Sequence, residues 1–272
     1  MTEPVLRFGD DGSPGADAAW GWVGAQHWPG WRAEVLTAVE PPLGPPPSPA
    51  DARPHPWDSP HARRAPESTG FAAVVHLRVD AEPRYALSAP TGAALLVIGP
   101  RGHGLLKTLH LGSTAEYLLH HPSVPVVVAR GTAPVRRVLV GVDGSDHAER
   151  AVEALASLPW CPDLDEVVLC TVAGEAAVGA ASRGRACAAL ERAGVRRVVE
   201  RLADGPHHAH VLLGVARDHG VDLVVAGTHG RASVKDALLG STAGALAHRA
   251  ECAVLLAQDA AERPESVGGP PG

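Results

Sequence analysis

The stretch "GPRGHGLLKTLHLGST" at residues 99–114 returns as "GTHGRASVKDALLGST" at 227–242, an offset of 128 residues with identity at 7 of 16 positions. Upstream, "GDDGS" at 9–13 is echoed by "GVDGS" at 141–145, at an offset of 132. A period of this length is one domain, not one solenoid repeat, and the small change of offset is what a duplicated domain shows after a few insertions. A chain of 272 residues has room for two ordinary domains, each able to bury its own core.

The second half reads as strands alternating with helices. "VRRVLVGVDGS" is a β-branched strand ending in a turn, and "DHAERAVEALASL" is a helix capped by Ser145 or Asp146. "DEVVLCTVA", "VRRVVERLADG", "VDLVVAG" and "CAVLLAQ" supply four further strands, with helices between them. This alternation predicts an α/β fold with a parallel sheet covered on both faces and right-handed crossovers. Five strands fit a doubly wound, Rossmann-like unit of order 3-2-1-4-5, whose ligand crevice lies beyond the carboxyl ends of strands one and four. Both echoed segments begin at those ends.

The first half follows the same plan less cleanly. "VLRF", "AEVLTAV", "FAAVVHLRV", "ALLVIG" and "VPVVVA" are its candidate strands. The segment at 40–68 stands where the second helix belongs and is too proline-rich for a regular helix; it reads as a surface loop or a PxxP-type ligand. The next crossover, "DAEPRYALSAPTG", is broken by Pro83 and Pro90. These readings divide the chain into tandem domains at 1–133 and 134–258, with a linker at 130–134 and a disordered tail at 259–272.

Composition narrows the function classes. A net charge of −6 gives no electrostatic support for nucleic-acid binding. No apolar run approaches the length of a membrane span, and the acidic N-terminal region does not resemble a secretory signal, so a cytoplasmic location is expected. Cys161, Cys170, Cys187 and Cys252 show no paired spacing and read as reduced thiols.

A strand ending in glycine, a flexible loop, and then Gly-Ser-Thr opening a helix gathers unpaired N–H groups of one dipole sign, so the expected guest is an anion. The glycines would let backbone approach a phosphate, while Ser241 adds a hydroxyl or merely caps the helix. The loop is neither a Walker A motif nor the G-x-G-x-x-G fingerprint. His229 and Arg231 in one copy, and Arg101 and His103 in the other, flank the expected anion, either neutralising it or solvated.

The spacing Gly-x2-Gly-x9-Gly-Ser/Thr after a buried strand, with an early V-x-V-D-G-S turn and an apolar fifth strand, resembles the universal stress protein family in its tandem two-domain form, over nearly all of residues 4–258. The resemblance implies ATP as ligand. Val142 and Asp143 would sit against the adenosine, and Gly227, Gly230, Gly240, Ser241 and Thr242 would hold the phosphates, with Arg231 beside them. Asp11, Gly99, Gly102, Gly112, Ser113 and Thr114 would be the first-half counterparts, with Pro100 removing one N–H from that loop. It also implies association through the fifth strands, between the two halves and between chains as a homo-oligomer. Asp143 either binds Mg2+ beside ATP or orients its turn by an Asx-type bond.

The cluster His207, His208 and His210 lacks companion ligands at a familiar metal spacing, and Trp20, Trp22, Trp28, Trp31 and Trp57 read as core or interface packing. No Ser-His-Asp set is legible. The expected function is a nucleotide-dependent stress-response regulator acting through conformation or partners, and not an enzyme beyond slow ATP hydrolysis. The alternatives are a dimerisation scaffold with decayed sites and an ATP-cleaving or adenylating enzyme of a related fold.

Overall fold

The computed structural model describes residues 3–40, 69–89, 92–102, 111–172, 176–230 and 239–258, with side chains for all of these but 176–180. The first half supplies β1 (Val5–Gly9), α1 (Pro14–Gly24), β2 (Arg32–Ala38), β3 (Ala73–Val79), α2 (Pro83–Ser88), β4 (Leu95–Ile98), α3 (Ser113–His120) and β5 (Val126–Val128). The second supplies β6 (Arg137–Gly141), α4 (Asp146–Ala156), β7 (Glu166–Val172), α5 (Ala176–Arg192), β8 (Val198–Ala203), α6 (His208–Asp218), β9 (Leu223–Gly227), α7 (Ser241–Arg249) and β10 (Ala253–Ala257).

All ten strands form one sheet, in the order β3-β2-β1-β4-β5-β10-β9-β6-β7-β8. Each half therefore has the expected 3-2-1-4-5 order, and every pairing within a half is parallel. The apolar side chains of α1, α4 and α5 cover one face, and those of α2, α3, α6 and α7 cover the other. Near-continuous apolar strands such as Leu223–Gly227 are what burial on both faces requires.

The halves meet through one antiparallel ladder, with Val126, Val127 and Val128 opposite Leu256, Leu255 and Val254. The fifth strands thus pair within the chain. Each also pairs with its own fourth strand, so neither has an edge left for a second copy. Beside the ladder, Trp160 of the second half packs edge-on against Trp22 and Trp28 of the first, at centroid distances of 6.3 and 6.2 Å. The linker is fastened too: buried Gln26 accepts from the Val135 N–H at 2.9 Å and donates to the Trp22 and Ala133 carbonyls. Across the seam the Glu116 carboxylate of α3 lies 3.0 Å from His248 Nε2 of α7.

Two local readings are sharpened. The crossover after β3 is not merely interrupted: Pro83 opens α2, where a missing N–H costs nothing, and the Glu82 side chain accepts from the Arg84 N–H. Ser145 rather than Asp146 caps α4. The proline-rich segment lies almost wholly outside the described residues, as do Trp57 and the tail. Trp22, Trp28 and Trp31 are buried in the core, and Trp20 packs against it.

Candidate functional site

Two crevices open where expected, between the carboxyl ends of the first and fourth strands of each half. Their cavities measure about 390 and 370 Å³. Asp11, Gly99, Gly102, Gly112, Ser113 and Thr114 all line the first. Val142, Asp143, Gly227, Gly230, Gly240, Ser241 and Thr242 all line the second, while Arg231 lies outside the described residues.

Each crevice begins with an Asp-Gly-Ser turn. Asp143 Oδ1 accepts from the Ser145 N–H at 2.9 Å and from its hydroxyl at 2.6 Å; Ser145 Oγ accepts from the Ala148 N–H at 3.2 Å and caps α4. In the first half Asp11 Oδ1 accepts from the Ser13 N–H at 3.0 Å, and Ser13 Oγ caps α1 through Ala16 at 3.1 Å. The central residues, Gly12 and Gly144, have φ of 71° and 81°, where a side chain would be strained. Of the two roles open to Asp143, the Asx-type bond is thus present. Among the described residues no group of three His, Cys, Asp or Glu side chains is placed to hold a metal ion.

The spaced glycines have a nearer reason than a phosphate. A Cβ at Gly230 would lie 2.8 Å from Asp143 Oδ2, and one at Gly102 would lie 2.0 Å from Asp11 Oδ2. At Gly227 it would meet the His147 carbonyl carbon and the Ala148 nitrogen at 2.7 and 2.9 Å, and at Gly99 the Gly15 oxygen at 2.9 Å. The first two glycines of each loop let it lie against the Asp-Gly-Ser turn and the start of the helix behind it. Turn and loop form one wall.

The third glycine marks a contrast between helices. Gly112 and Gly240 are the N-caps of α3 and α7, and among the described residues neither helix end has a side-chain cap. The first N–H groups of an α-helix have no partner within it, so these two ends present donors and a positive dipole to the crevice, while α1 and α4 have serine caps.

Pro100 changes less than the sequence suggests. The Pro100 carbonyl accepts from the Gly112 N–H at 2.8 Å, as the Thr228 carbonyl accepts from the Gly240 N–H at 2.8 Å. The N–H that proline lacks corresponds to that of Thr228, which donates to Ala257 on β10. What the first half gives up is a bond to its fifth strand, not a donor facing the crevice.

The opposite wall is apolar in both halves: Leu36, Ala38 and Leu87 in the first, Val172 and Leu212 beside Cys170 in the second. Burial pushes the Cys170 thiol up to about 11, so it faces the crevice uncharged. Sequence reasoning missed this wall, and also Asp10, a buried carboxyl standing where the second half has Val142. The signal was present in the echo "GDDGS" against "GVDGS". His208 lines the second crevice; His207 is the N-cap of α6 and His210 lies on that helix.

The universal stress protein family model matches residues 6–130 and 168–258. The intervening residues 131–167 carry β6, the Asp-Gly-Ser turn and α4, which complete the second unit. A universal stress protein of Mycolicibacterium smegmatis is 30% identical over 212 residues, 70% of each chain. The crystal structure of a universal stress protein from Archaeoglobus fulgidus covers 95% of this chain and 99% of its own at a TM-score of 0.65 and 20% identity, which speaks for the fold. A universal stress protein solved in complex with cAMP is 28% identical, covers 46% of this chain and 97% of its own, and has a TM-score of 0.38.

Proposed function

The chain belongs to the universal stress protein family, and on that premise we propose that it binds ATP in both crevices and acts as a regulator whose conformation or partners depend on the nucleotide. The observation that carries the reading is the pair of uncapped helix ends, Gly112–Ser113 and Gly240–Ser241, at equivalent corners of two crevices. An anion fits there, and cavities of about 390 and 370 Å³ fall within the usual range for small-ligand sites. Phosphates are assigned to the N–H groups and hydroxyls of Ser113, Thr114, Ser241 and Thr242, and the base to the apolar wall. Arg231 is assigned to the phosphates from its place in the glycine loop of the sequence alone. The two domains are placed at 1–133 and 134–258.

Binding rather than turnover is the proposed activity. Asp11 and Asp143, the carboxyls against the glycine loops, use Oδ1 to hold their own turns. Mg2+ would arrive with the nucleotide as its counter-ion.

Purified protein, denatured and analysed by chromatography, should release ATP in appreciable ratio to chain, and calorimetry of the emptied protein should show ATP binding in the presence and absence of EDTA. No released nucleotide together with no heat of binding overturns the reading. Rapid conversion of bound ATP to ADP or AMP would replace the regulator with an enzyme.

A further inference from the structure

The antiparallel ladder of β5 and β10 relates the two halves by an approximate two-fold axis, so each side of the seam has a counterpart on the other. On one side the chain leaving β5 covers the seam. Thr132 lies against α1, its methyl 3.0 Å from where a Cβ on Gly21 would stand, and Gln26 takes the Val135 N–H. The Arg136 and Arg137 N–H groups then close onto Asp222 Oδ2, each at 2.9 Å, just before β9. On the other side the described residues leave a groove of about 310 Å³. Its walls are Arg150 and Ala154 of α4, Ser157 at the end of that helix, and Ala94, Val124 and Pro125 just before β4 and β5. Ala257 and Gln258 line it too, so the groove begins where β10 ends. The symmetry reaches single side chains: Arg130 Nη2 donates to the Ala247 carbonyl, and Gln258 Nε2, at the equivalent position, donates to the Pro122 carbonyl, both across the seam.

We propose that the segment following Gln258 docks in this groove as the linker docks on α1, so that each side of the seam is covered by the chain leaving its own fifth strand. The 128-residue offset places Asp259-Ala260-Ala261 where the linker has Gly131-Thr132-Ala133. Small side chains suit that place, because α4 carries Glu153 where α1 carries Gly21, and less room is left above the helix. The charges match as well. Arg150 and Glu153, paired at 2.6 Å on the wall, meet Asp259, Glu262 and Arg263 in the segment, so each sign finds its opposite. Reach is ample: the 14 residues from 259 to 272 extend to about 46 Å, against about 16 Å for the 11 residues of α4. Composition predicts disorder for this segment because it has too little apolar surface to fold by itself, and a wall already built by α4 and the first half removes that requirement.

Docking needs no nucleotide, so the test is run without one. The exposed Ser157 is replaced in S157C, and modification of the introduced thiol is timed by mass spectrometry in the full chain and in a chain ending at Gln258. The thiol should react about tenfold more slowly in the full chain, while the native Cys187 on α5, outside the groove, reacts at one rate in both. A second variant keeps the full length: A260W/A261W puts two indoles where only methyl groups fit, and should raise the rate at S157C to that of the shortened chain. Equal rates in the full chain, the shortened chain and A260W/A261W overturn the inference. A rate in the shortened chain that falls as protein concentration rises gives the groove to a second copy of the chain, and overturns it as well.

Discussion

Gly230 joins the loop to Asp143, since a Cβ there would stand 2.8 Å from the carboxylate. G230A should weaken ATP binding at the second crevice at least tenfold in calorimetry while leaving the urea midpoint nearly unchanged, because a carboxylate can swing away. At Gly227 the neighbours are the His147 Cβ and the backbone beside it, none of them free to swing away, so G227A should cost about 1–3 kcal/mol of stability as well. Buried Arg7 pairs with half-buried Glu34 at 2.6 Å, on neighbouring strands of the first half. The matching positions of the second half are the buried Leu139 and Val168. R7L alone should destabilise by about 3–5 kcal/mol and R7L/E34V should recover most of that loss, measured by chemical denaturation. Burial pushes the thiols of Cys161 to about 12 and of Cys170 and Cys252 to about 11. A thiol raised in the folded state contributes stability that is present below its unfolded pKa of about 8.5 and lost as pH climbs toward the folded value. Urea midpoints should therefore fall from pH 8.5 upward, and less steeply in C170A.

The elements show what the sequence can and cannot disclose. The ten strand segments were legible in their apolar stretches, most plainly in central strands such as β9 and β10 that are buried on both faces, while the edge strands β3 and β8 carry exposed charged residues. Helix α2 was not legible, since Pro83 reads as a breaker until its position at the first turn and the Glu82 cap are seen. The crevices were legible through their glycines, but the reason for those glycines was not: contact with Asp11, Asp143 and the helix starts is long-range and leaves no periodic trace. Pro100 misled in the opposite direction, because only the sheet ladder shows where the equivalent Thr228 N–H goes. At this scale the caps give a sharp prediction. S145A removes a helix cap and an Asp143 partner, and should cost about 1–2 kcal/mol in thermal unfolding.

For the whole molecule, the decisive feature is the ladder between β5 and β10, reinforced by the tryptophans and by Gln26. The resemblance implied that halves or chains would associate through these strands, and the chain does so with itself. Q26A should leave the buried Val135 N–H without its acceptor and cost about 1–3 kcal/mol, seen as a lower urea midpoint. A pair of subunits meeting at such a seam would obey mass action, and its stability would track how much protein a cell makes. Here the two partners are covalently one, so dilution does not part them. The tryptophan-fluorescence unfolding midpoint should stay fixed over a hundredfold range of protein concentration. The seam answers to heat and denaturant, and not to how many copies of the chain a cell holds.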